Sequence, residues 1–334
     1  MHFTYPPRLP LARTPTPLEP MDRLSREVGG PRIWIKRDDL TGAALSGNKI
    51  RKLEFIIAEA LAQRCDTLIT CGAVQSNHCR ATALAGARVG LKVHLVLRGS
   101  PEEVPDANLM LDHLAGAEIS YYERAEYNAR RPEIFQELTD KYAREGHRAF
   151  SIPTGGSDEI GAWGYVAAAE ELKGDFLLCG ISPGHIVTTT GSGGTHAGLA
   201  AGCHLHGIPV SVWGINISDN ASSFQEKADV DLAKWRERYG LDVDLSQIPI
   251  QVIDGHVGPG YGKAEPPVYE TIARVARLEG IVLDPVYTGK AFHGMLHELA
   301  TGRFAGASDI VFIHTGGIFG LFPHRGNFNF GSRE

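Results

Sequence analysis

Residues 185–206, HIVTTTGSGGTHAGLAAGCHLH, decide the fold. The first six residues are mostly β-branched, which predicts a buried strand over His185–Thr190. The second half is too long for one strand and contains several alanine and leucine residues, which favour a helix over Thr195–His206. The glycines between them let the backbone turn tightly. A strand joined to a helix by a short glycine-rich turn is the building unit of α/β folds with parallel sheets.

The same alternation of strand and helix runs along most of the chain. Before Thr154-Gly155-Gly156-Ser157 the pattern predicts strands at 66–71, 92–97, 118–122 and 149–153, and helices at 75–89, 107–114 and 131–144. After that break it predicts helices at 159–172, 195–206, 223–239, 267–278 and 290–304, and strands at 185–190, 210–217 and 309–314. We therefore expect an α/β protein of two domains, each an open, mostly parallel sheet flanked by helices, with a boundary near residue 155.

The composition is that of a globular protein that acts on small molecules. The chain has 334 residues, 43% of them hydrophobic and 22% charged, and a formal net charge of −6. Its basic residues are scattered, which argues against nucleic-acid binding, and no apolar run reaches the length that spans a membrane. The N-terminus lacks the pattern of a signal peptide, and the five cysteines are odd in number without a C-x-x-C pair. We expect a reduced, cytoplasmic chain.

The turn at 190–198, TGSGGTHAG, is the first candidate site. Backbone N–H groups and the N-terminus of the following helix would face an anion here, and phosphate is the natural ligand. The dinucleotide pattern would need glycine where His196 stands, and the Walker pattern G-K-[ST] is absent. A strand-to-helix turn without any ligand remains an alternative.

Two further segments carry candidate residues at predicted helix starts. Lys49, in SGNKIRKLE at 46–54, would be a nucleophile toward aldehydes if desolvation or its cationic neighbours lowered its pKa, although such a lysine is more often solvated. Ser76 and Asn77, in GAVQSNH at 72–78, would cap a helix, and the same geometry offers donors to a substrate carboxylate.

Seven motifs in order carry a resemblance to a known family. They are KRDD at 36–39, GNKIRKLE at 47–54, QSNH at 75–78, TGSGGTHAG at 190–198, GYG at 260–262, LDPVYTGK at 283–290 and HTGG at 314–317. Together they resemble the D-cysteine desulfhydrase and 1-aminocyclopropane-1-carboxylate (ACC) deaminase family, within the tryptophan-synthase-β-like, fold type II, pyridoxal-phosphate enzymes. The resemblance runs from about residue 10 to 322 and is weakest at 100–148 and 218–255.

The resemblance implies a role for each matching residue. Lys49 occupies the position of the lysine that holds pyridoxal 5'-phosphate as a Schiff base. Lys52 and the loop Gly191, Ser192, Gly193, Gly194 and Thr195 match phosphate-binding positions. Asn77 matches the contact to the ring hydroxyl, and Ser76, Asn77 and His78 match the pocket for the substrate carboxylate. Tyr287 matches the tyrosine near the cofactor ring, Tyr261 a second active-site tyrosine, and Thr315 lies where the strand end approaches the ring nitrogen. The resemblance therefore assigns the catalysis to Lys49, Ser76, Tyr261 and Tyr287.

The resemblance also implies an activity. ACC deaminases have glutamate after the tyrosine, where it keeps the ring nitrogen protonated, whereas this chain has Thr288. Because a hydroxyl enforces protonation less, Thr288 and Thr315 favour β-elimination on a small amino acid, with D-cysteine giving pyruvate, hydrogen sulfide and ammonia. Phe292-His293-Gly294-Met295 resembles the deaminase pattern instead, and Ile318-Phe319-Gly320 departs from both. ACC deaminase, L-cysteate sulfo-lyase and a non-catalytic cofactor-binding protein are the alternatives.

Domain limits, assembly and metals complete these expectations. The resemblance implies a larger cofactor-binding domain of residues 1–48 and 160–334, a smaller domain of residues 49–159 with the cofactor in the cleft between them, and a homodimer. His204-x-His206 and His293-x-x-x-His297 have spacings that a metal could use, but no carboxylate or cysteine completes a convincing set, so no metal is expected. Asp38-Asp39 is expected to cap a turn or to pair with nearby cations.

Overall fold

The computed structural model describes residues 3–330. Its strands are β1 Leu18–Pro20, β2 Arg32–Lys36, β3 Thr67–Ala73, β4 Lys92–Arg98, β5 Glu118–Tyr122, β6 Ala149–Ser151, β7 His185–Thr190, β8 Ser211–Asn216, β9 Gln251–Ile253 and β10 Asp309–Ile313. Its α-helices are α1 Asp22–Val28, α2 Asn48–Ala62, α3 Asn77–Val89, α4 Ala107–Leu114, α5 Arg124–Arg144, α6 Trp163–Cys179, α7 Gly194–Leu205, α8 Ala221–Tyr239, α9 Pro266–Glu279 and α10 Thr288–Ala300.

The strands form two sheets. The larger has the order β1-β2-β10-β7-β8-β9 and the smaller has the order β5-β4-β3-β6. Every neighbouring pair is parallel except β1 with β2, which is antiparallel. The predicted fold class, two α/β domains with open, mostly parallel sheets flanked by helices, is confirmed.

Close packing of α7 against α6 fixes the start of α7 beside the larger sheet. A Cβ atom on Gly198 would lie 2.6 Å from the carbonyl oxygen of Ala162, and one on Gly202 would lie 2.6 Å from the Cβ atom of Ala169. Only residues without a side chain fit at these two positions, so glycine lets the helix axes approach closely. This packing holds the glycine-rich turn that precedes α7.

The sequence pattern misplaced two helix starts. Helix α5 begins at Arg124, not at the predicted Arg131, and runs through Pro132. Helix α6 begins at Trp163, not at Glu159, because the carboxylate of Asp158 accepts hydrogen bonds from the N–H groups of Ile160 (3.1 Å) and Gly161 (2.7 Å) and holds a turn there. Side-chain competition of this kind for backbone donors favours turns over helices.

The largest apolar core is shared by the two sheets. It includes Ile50 of α2, Leu68 of β3 and Ile186 of β7, and α2 packs against both α3 and α6. The division into residues 49–159 and the rest stays a prediction. The Asp38-Asp39 pair binds cations as expected, since Asp38 accepts from Arg51 (2.8 Å) and Asp39 from Arg37 (2.7 Å). Of the helices within residues 3–330, none combines the length and apolarity needed to cross a membrane.

Candidate active site

A cavity of about 370 Å³ lies between the two sheets, at the carboxyl ends of their strands. Its wall includes Gly72 at the end of β3, Arg98 at the end of β4, Gly191 after β7 and Thr315 after β10. Ligands of open α/β sheets bind at this edge because loops and helix N-termini converge there. The predicted site residues fall mainly in this wall.

Lys49 enters the cavity from the first turn of α2. The N–H group of Asn48 donates to the carbonyl oxygen of Thr315 (3.1 Å), and a Cβ atom on Gly47 would lie only 2.8 Å from that oxygen. Glycine with a φ of +100° is therefore required where the loop after β10 meets α2. Burial lowers the pKa of Lys49 to about 8, because desolvation disfavours the ammonium form. Such an amine suits nucleophilic attack on an aldehyde.

Lys52 lies one turn further along α2, fully buried behind the glycine-rich turn. Its Nζ donates to the carbonyl of Gly155 (3.1 Å) and to the hydroxyl of Ser157 (2.9 Å). No carboxylate of residues 3–330 forms an ion pair with it, and burial together with the nearby Lys49 holds its pKa well below the usual value. A buried cation without a counter-ion is unfavourable, so this position fits an anionic ligand.

The turn itself provides the rest of an anion site. Helix α7 begins at Gly194, whose N–H group donates to the Ser157 hydroxyl (3.3 Å), and its N-cap residue Gly193 offers no side-chain cap, so the N–H groups of Thr195 and His196 remain for a ligand. The hydroxyls of Ser157 and Ser192 are 2.9 Å apart, and a Cβ atom on Gly194 would lie 2.8 Å from Lys52 Nζ. Bare backbone, two hydroxyls and a buried ammonium group fit a phosphate monoester.

Two threonines extend this polar wall. Thr195 accepts a hydrogen bond from the side-chain amide of Asn48 (2.9 Å). Thr189, which lines the cavity, has a buried hydroxyl without a hydrogen-bond partner among the described residues. Buried hydroxyls are normally satisfied, so Thr189 points to a polar ligand in the cavity.

Helix α3 contributes Ser76, Asn77 and His78 to the same wall. Ser76 Oγ accepts from the N–H group of Cys79 (3.2 Å) as the N-cap, which leaves its own proton free to donate. Asn77 Oδ1 accepts from Asn108 (3.1 Å), so its amide NH₂ can donate into the cavity. Hydroxyl, amide and helix N-terminus together suit a carboxylate.

His78 is neutral and has a defined tautomer. Thr70 donates its hydroxyl proton to the carbonyl of Ile152 (3.0 Å), so it accepts from Nε2–H of His78 (2.8 Å). Nδ1 is then unprotonated, and it has no partner among the described residues. Burial and the charges of Lys49 and Lys52 hold the pKa of His78 well below its ordinary value.

Tyr261 and Tyr287 meet at the opposite side of the cavity. Their hydroxyl groups share a short hydrogen bond, and both side chains line the cavity. Burial raises the pKa of each phenol, so both are protonated at neutral pH. One hydroxyl donates to the other, and the second proton remains available to a ligand.

Thr288 is the residue that the resemblance puts beside the cofactor ring. It is fully buried and does not line the cavity. Its hydroxyl donates to Asp284 Oδ1 (2.8 Å) and accepts from the N–H group of Asp284 (2.9 Å). Thr288 therefore helps to cap α10, and the threonine that does reach the cavity is Thr315.

An arginine wall, which the sequence analysis missed, completes the cavity. It consists of Arg98 from β4 and of Arg124 and Arg131 from α5, with Tyr127 and Asn128 between them. The α5 residues stand at positions i, i+3, i+4 and i+7, and therefore share one helix face. That spacing was visible in the sequence, but the helix was predicted to start only at Arg131.

The structure thus brings most predicted site residues together. Those in the cavity wall are Lys49, Ser76, Asn77, His78, Gly191, Ser192, Gly193, Thr195, Tyr261, Tyr287 and Thr315. Lys52 and Gly194 lie directly behind the wall at the phosphate-like site, and Thr288 lies away from it. Ser157 was also missed, because it had been assigned only to a break between two series of elements.

Comparisons with known proteins agree with this geometry. A family model described as "Pyridoxal-phosphate dependent enzyme" matches residues 9–316. A putative 1-aminocyclopropane-1-carboxylate deaminase of Thermotoga maritima is 42% identical over 94% of this chain and 97% of its own length. A D-cysteine desulfhydrase of Salmonella paratyphi A is 39% identical over 97% of this chain and 98% of its own length. The crystal structure of an ACC deaminase homologue superposes with a TM-score of 0.87 and 36% identity, covering 96% of this chain and 95% of that one.

Proposed function

Because the chain belongs to the family of pyridoxal-phosphate-dependent enzymes, with their fold type II architecture, we propose that its cavity catalyses β-elimination on D-cysteine. The overall reaction converts D-cysteine and water to pyruvate, hydrogen sulfide and ammonia. The class, a pyridoxal-phosphate-dependent lyase, follows from the family and from relatives named desulfhydrase and deaminase. When bound, pyridoxal phosphate supplies an electron sink that makes the α-proton acidic and lets the β-substituent leave.

The arginine wall is the observation that carries the choice of substrate. Arg98, Arg124 and Arg131 line the cavity, Arg98 half-buried and the two α5 arginines exposed, and no carboxylate of residues 3–330 forms an ion pair with any of them. Elimination from cysteine expels hydrosulfide, an anion, which guanidinium groups stabilise as its charge develops. Opening of the ACC ring expels no anion, because the ring carbon stays attached. Unpaired cations in the wall therefore favour elimination.

The lack of a carboxylate beside Thr315 in the described cavity wall also favours β-elimination over opening of the ACC ring. Asp219 is the one acidic residue in the described wall of the cavity. Thr315 lies beside Gly316 at the carboxyl end of β10, where the resemblance puts the ring nitrogen. A hydroxyl enforces protonation of that nitrogen less than a carboxylate does. Elimination of a good leaving group needs a weaker electron sink than opening of a cyclopropane.

The chain's own groups can divide the proton transfers between them. Lys49 would hold the cofactor covalently, and its Nζ, whose pKa burial lowers to about 8 in the free chain, would be the group that accepts the α-proton. Ser76 and the N-terminus of α3 would hold the substrate carboxylate. The free proton of the Tyr261–Tyr287 pair can be donated to the departing sulfur. Lys52, Ser157, Ser192 and the first turn of α7 would hold the phosphate.

ACC deamination is the second candidate, since a relative at 42% identity carries that name. The deaminase-like segment Phe292-His293-Gly294-Met295 supports it less than the sequence suggested. Phe292 and Met295 are buried in the core, His293 faces a different cavity, and none of the four residues lines the active-site cavity. The same holds for Phe319, whose ring packs under the guanidinium of Arg80.

A substrate panel tests the proposal. We expect pyruvate and sulfide from D-cysteine at a kcat/KM at least tenfold above that for 2-oxobutyrate release from ACC. L-Cysteine and L-cysteate complete the panel, because sulfite is also an anionic leaving group. Lys49→Ala should give no product from any substrate, and Lys234→Ala, on the exposed face of α8, should match the wild type. Faster turnover of ACC than of D-cysteine would contradict the choice of D-cysteine that rests on the arginine wall.

We also propose a cytoplasmic homodimer with domains at the predicted limits. Free thiols at all five cysteines are compatible with a reducing compartment. Exposed apolar side chains at Leu177 and Leu178 offer contact area for a second copy. Light scattering that gave the mass of a single chain at micromolar concentration would exclude the dimer.

A further inference from the structure

A second cavity, of about 300 Å³, lies between α10 and the loop that follows β9. Its wall includes His256 from the loop and His297 and Glu298 from α10. One ligand atom from each of these three residues lies within 4.8 Å of the others. None of the three residues lines the active-site cavity. We propose that His256, His297 and Glu298 bind one divalent transition-metal ion, with zinc as the best match.

The distances between the donor atoms fit tetrahedral coordination. Glu298 Oε1 lies 3.1 Å from His256 Nε2 and 3.6 Å from His297 Nδ1. Ligand atoms bound at about 2.0–2.1 Å in a tetrahedral zinc site lie about 3.3–3.4 Å from one another. An ion could therefore bind beside Glu298 once the two imidazole nitrogens, which lie within 4.8 Å of each other, close around it. Without an ion the same atoms would form only a histidine–glutamate hydrogen bond.

The donor set and its surroundings select the kind of metal. Two imidazoles and one carboxylate suit zinc, nickel or copper, whereas magnesium and calcium prefer oxygen alone. Arg303 donates to Glu298 Oε2 in a short hydrogen bond, which leaves Oε1 for the ion. Gly294 lets the ring of His256 approach α10, since a Cβ atom there would lie 2.8 Å from that ring. Such outer contacts orient metal ligands.

The spacing of His293-x-x-x-His297 does not by itself predict a metal site. The helical spacing alone offered two histidines and no convincing third ligand. The fold instead brings His297 and Glu298 of α10 together with His256, which comes from the distant loop after β9. His293 does not belong to the group: its Nδ1 is hydrogen-bonded to Thr271 (2.9 Å).

A bound ion would join the loop to α10 near the active site. Lys290 of α10 already donates to the carbonyl oxygens of Val257 (2.7 Å) and Gly260 (2.8 Å) in the same loop. That loop carries Tyr261, and α10 begins directly after Tyr287. The metal would therefore stabilise the segment that presents the tyrosine pair, with no part in the chemistry.

Metal binding to the purified holoenzyme tests this inference without any assay of turnover. After chelation and dialysis, we expect calorimetric titration with zinc to give one site per chain and a rise in melting temperature, and magnesium to give neither. His297→Ala is the main variant, because that side chain is 60% exposed and its loss should leave folding intact. We expect it to lower zinc affinity at least tenfold and to abolish the thermal shift.

His113→Ala, an exposed histidine of α4, is the matched control and should bind zinc like the wild type. Glu298→Gln should weaken binding as His297→Ala does. The inference is overturned if the wild type binds no zinc, if His297→Ala keeps wild-type affinity, or if His113→Ala loses as much affinity as His297→Ala. Because these readouts do not depend on substrate, failure here leaves the proposed function untouched.

Discussion

Lys52 shows how one side chain can indicate a ligand. Its ammonium group is fully buried, and its partners, the Gly155 carbonyl and the Ser157 hydroxyl, are neutral. An unpaired buried cation destabilises the chain that contains it, and a bound phosphate would offset that cost with charge-assisted hydrogen bonds. Lys52 therefore lowers the stability of the free chain and raises its affinity for an anion.

Lys52→Met should separate these two effects. We expect the cofactor-free variant to unfold at a higher temperature than the wild type, because the buried charge is gone. Its affinity for pyridoxal phosphate should fall about ten- to hundredfold, the value of a lost charge-assisted hydrogen bond. Equilibrium dialysis measures the affinity, and differential scanning calorimetry the stability.

Pyridoxal, which lacks the phosphate, is the matched control ligand for Lys52→Met. Its affinity should be the same in the variant and in the wild type. An equal loss of affinity for pyridoxal and pyridoxal phosphate would mean that Lys52 shapes the cavity in general and does not bind the phosphate.

At the scale of elements, the start of α10 sets the position of Tyr287. The carboxylate of Asp284 accepts from the N–H groups of Val286 (2.9 Å), Tyr287 (3.0 Å) and Thr288 (2.9 Å). The Thr288 hydroxyl adds the fourth hydrogen bond to this carboxylate (2.8 Å). These bonds satisfy the donors that a helix leaves open at its N-terminus. Thr288 therefore acts on the site through Tyr287.

A pair of substitutions distinguishes this role from contact with the cofactor. Thr288→Val should lower the free energy of unfolding by about 1–2 kcal/mol, because it removes both hydrogen bonds of the hydroxyl and leaves the buried N–H group of Asp284 unpaired. The absorption spectrum of the bound cofactor should stay unchanged. Thr315→Val should instead shift that spectrum and leave stability within about 0.5 kcal/mol. A spectral change in Thr288→Val and none in Thr315→Val would mean that Thr288 contacts the cofactor, as the sequence predicts.

Local motifs explain why part of the site could be predicted from the sequence. Lys49, the turn at Gly191–Gly194 and Ser76 each lie at a strand-to-helix junction or a helix start, and a contiguous stretch records such features. Ser157 could not be found in this way. Its hydroxyl meets Lys52 Nζ at 2.9 Å across 105 positions of sequence. The sequence around Ser157 and the sequence around Lys52 do not indicate that contact.

The bounds of the strands and helices, like the site residues, could be predicted only in part. The β-branched run gave the bounds of β7 correctly, because burial in a parallel sheet favours such residues. The bounds of β5, an edge strand without a buried residue, were also predicted correctly. The short strands β1 and β9 have three residues each, too few to establish a periodicity. Helix α5 was predicted too short: a start at Arg131 would put Pro132 in the first turn, where proline is tolerated, yet the helix already begins at Arg124. Because the predicted helix began too late, the sequence did not indicate that Arg124 and Arg131 share one helix face.

At the scale of the whole molecule, Asp112 makes stability depend on pH. It lies on α4 against α3, fully buried, and neither carboxylate oxygen has a hydrogen-bond partner among the described residues. Burial raises the pKa of Asp112 to about 8, although the charge of Arg80 opposes the shift. Arg80 itself is held by the carbonyl of Ser46 (2.7 Å) and by the ring of Phe319.

The sign of the effect follows from proton binding. An aspartate in the unfolded chain has a pKa of about 3.9, so between about pH 4 and pH 8 the folded chain binds one more proton than the unfolded chain. The free energy of unfolding should therefore fall as the pH rises through this range. Asp112 contributes its full stabilising effect only below about pH 4.

Asp112→Asn should remove this dependence. The amide has the shape of the protonated acid and no charge, so we expect the variant and the wild type to have similar stability at about pH 4. At pH 8 the variant should be more stable, by an amount on the order of a few kcal/mol. Urea denaturation at the two pH values measures the difference, and Asp229→Asn, exposed on α8, is the control. If Asp112 and Arg80 instead form a true buried ion pair, Asp112→Asn will leave Arg80 without a counter-ion and will destabilise the protein at pH 8.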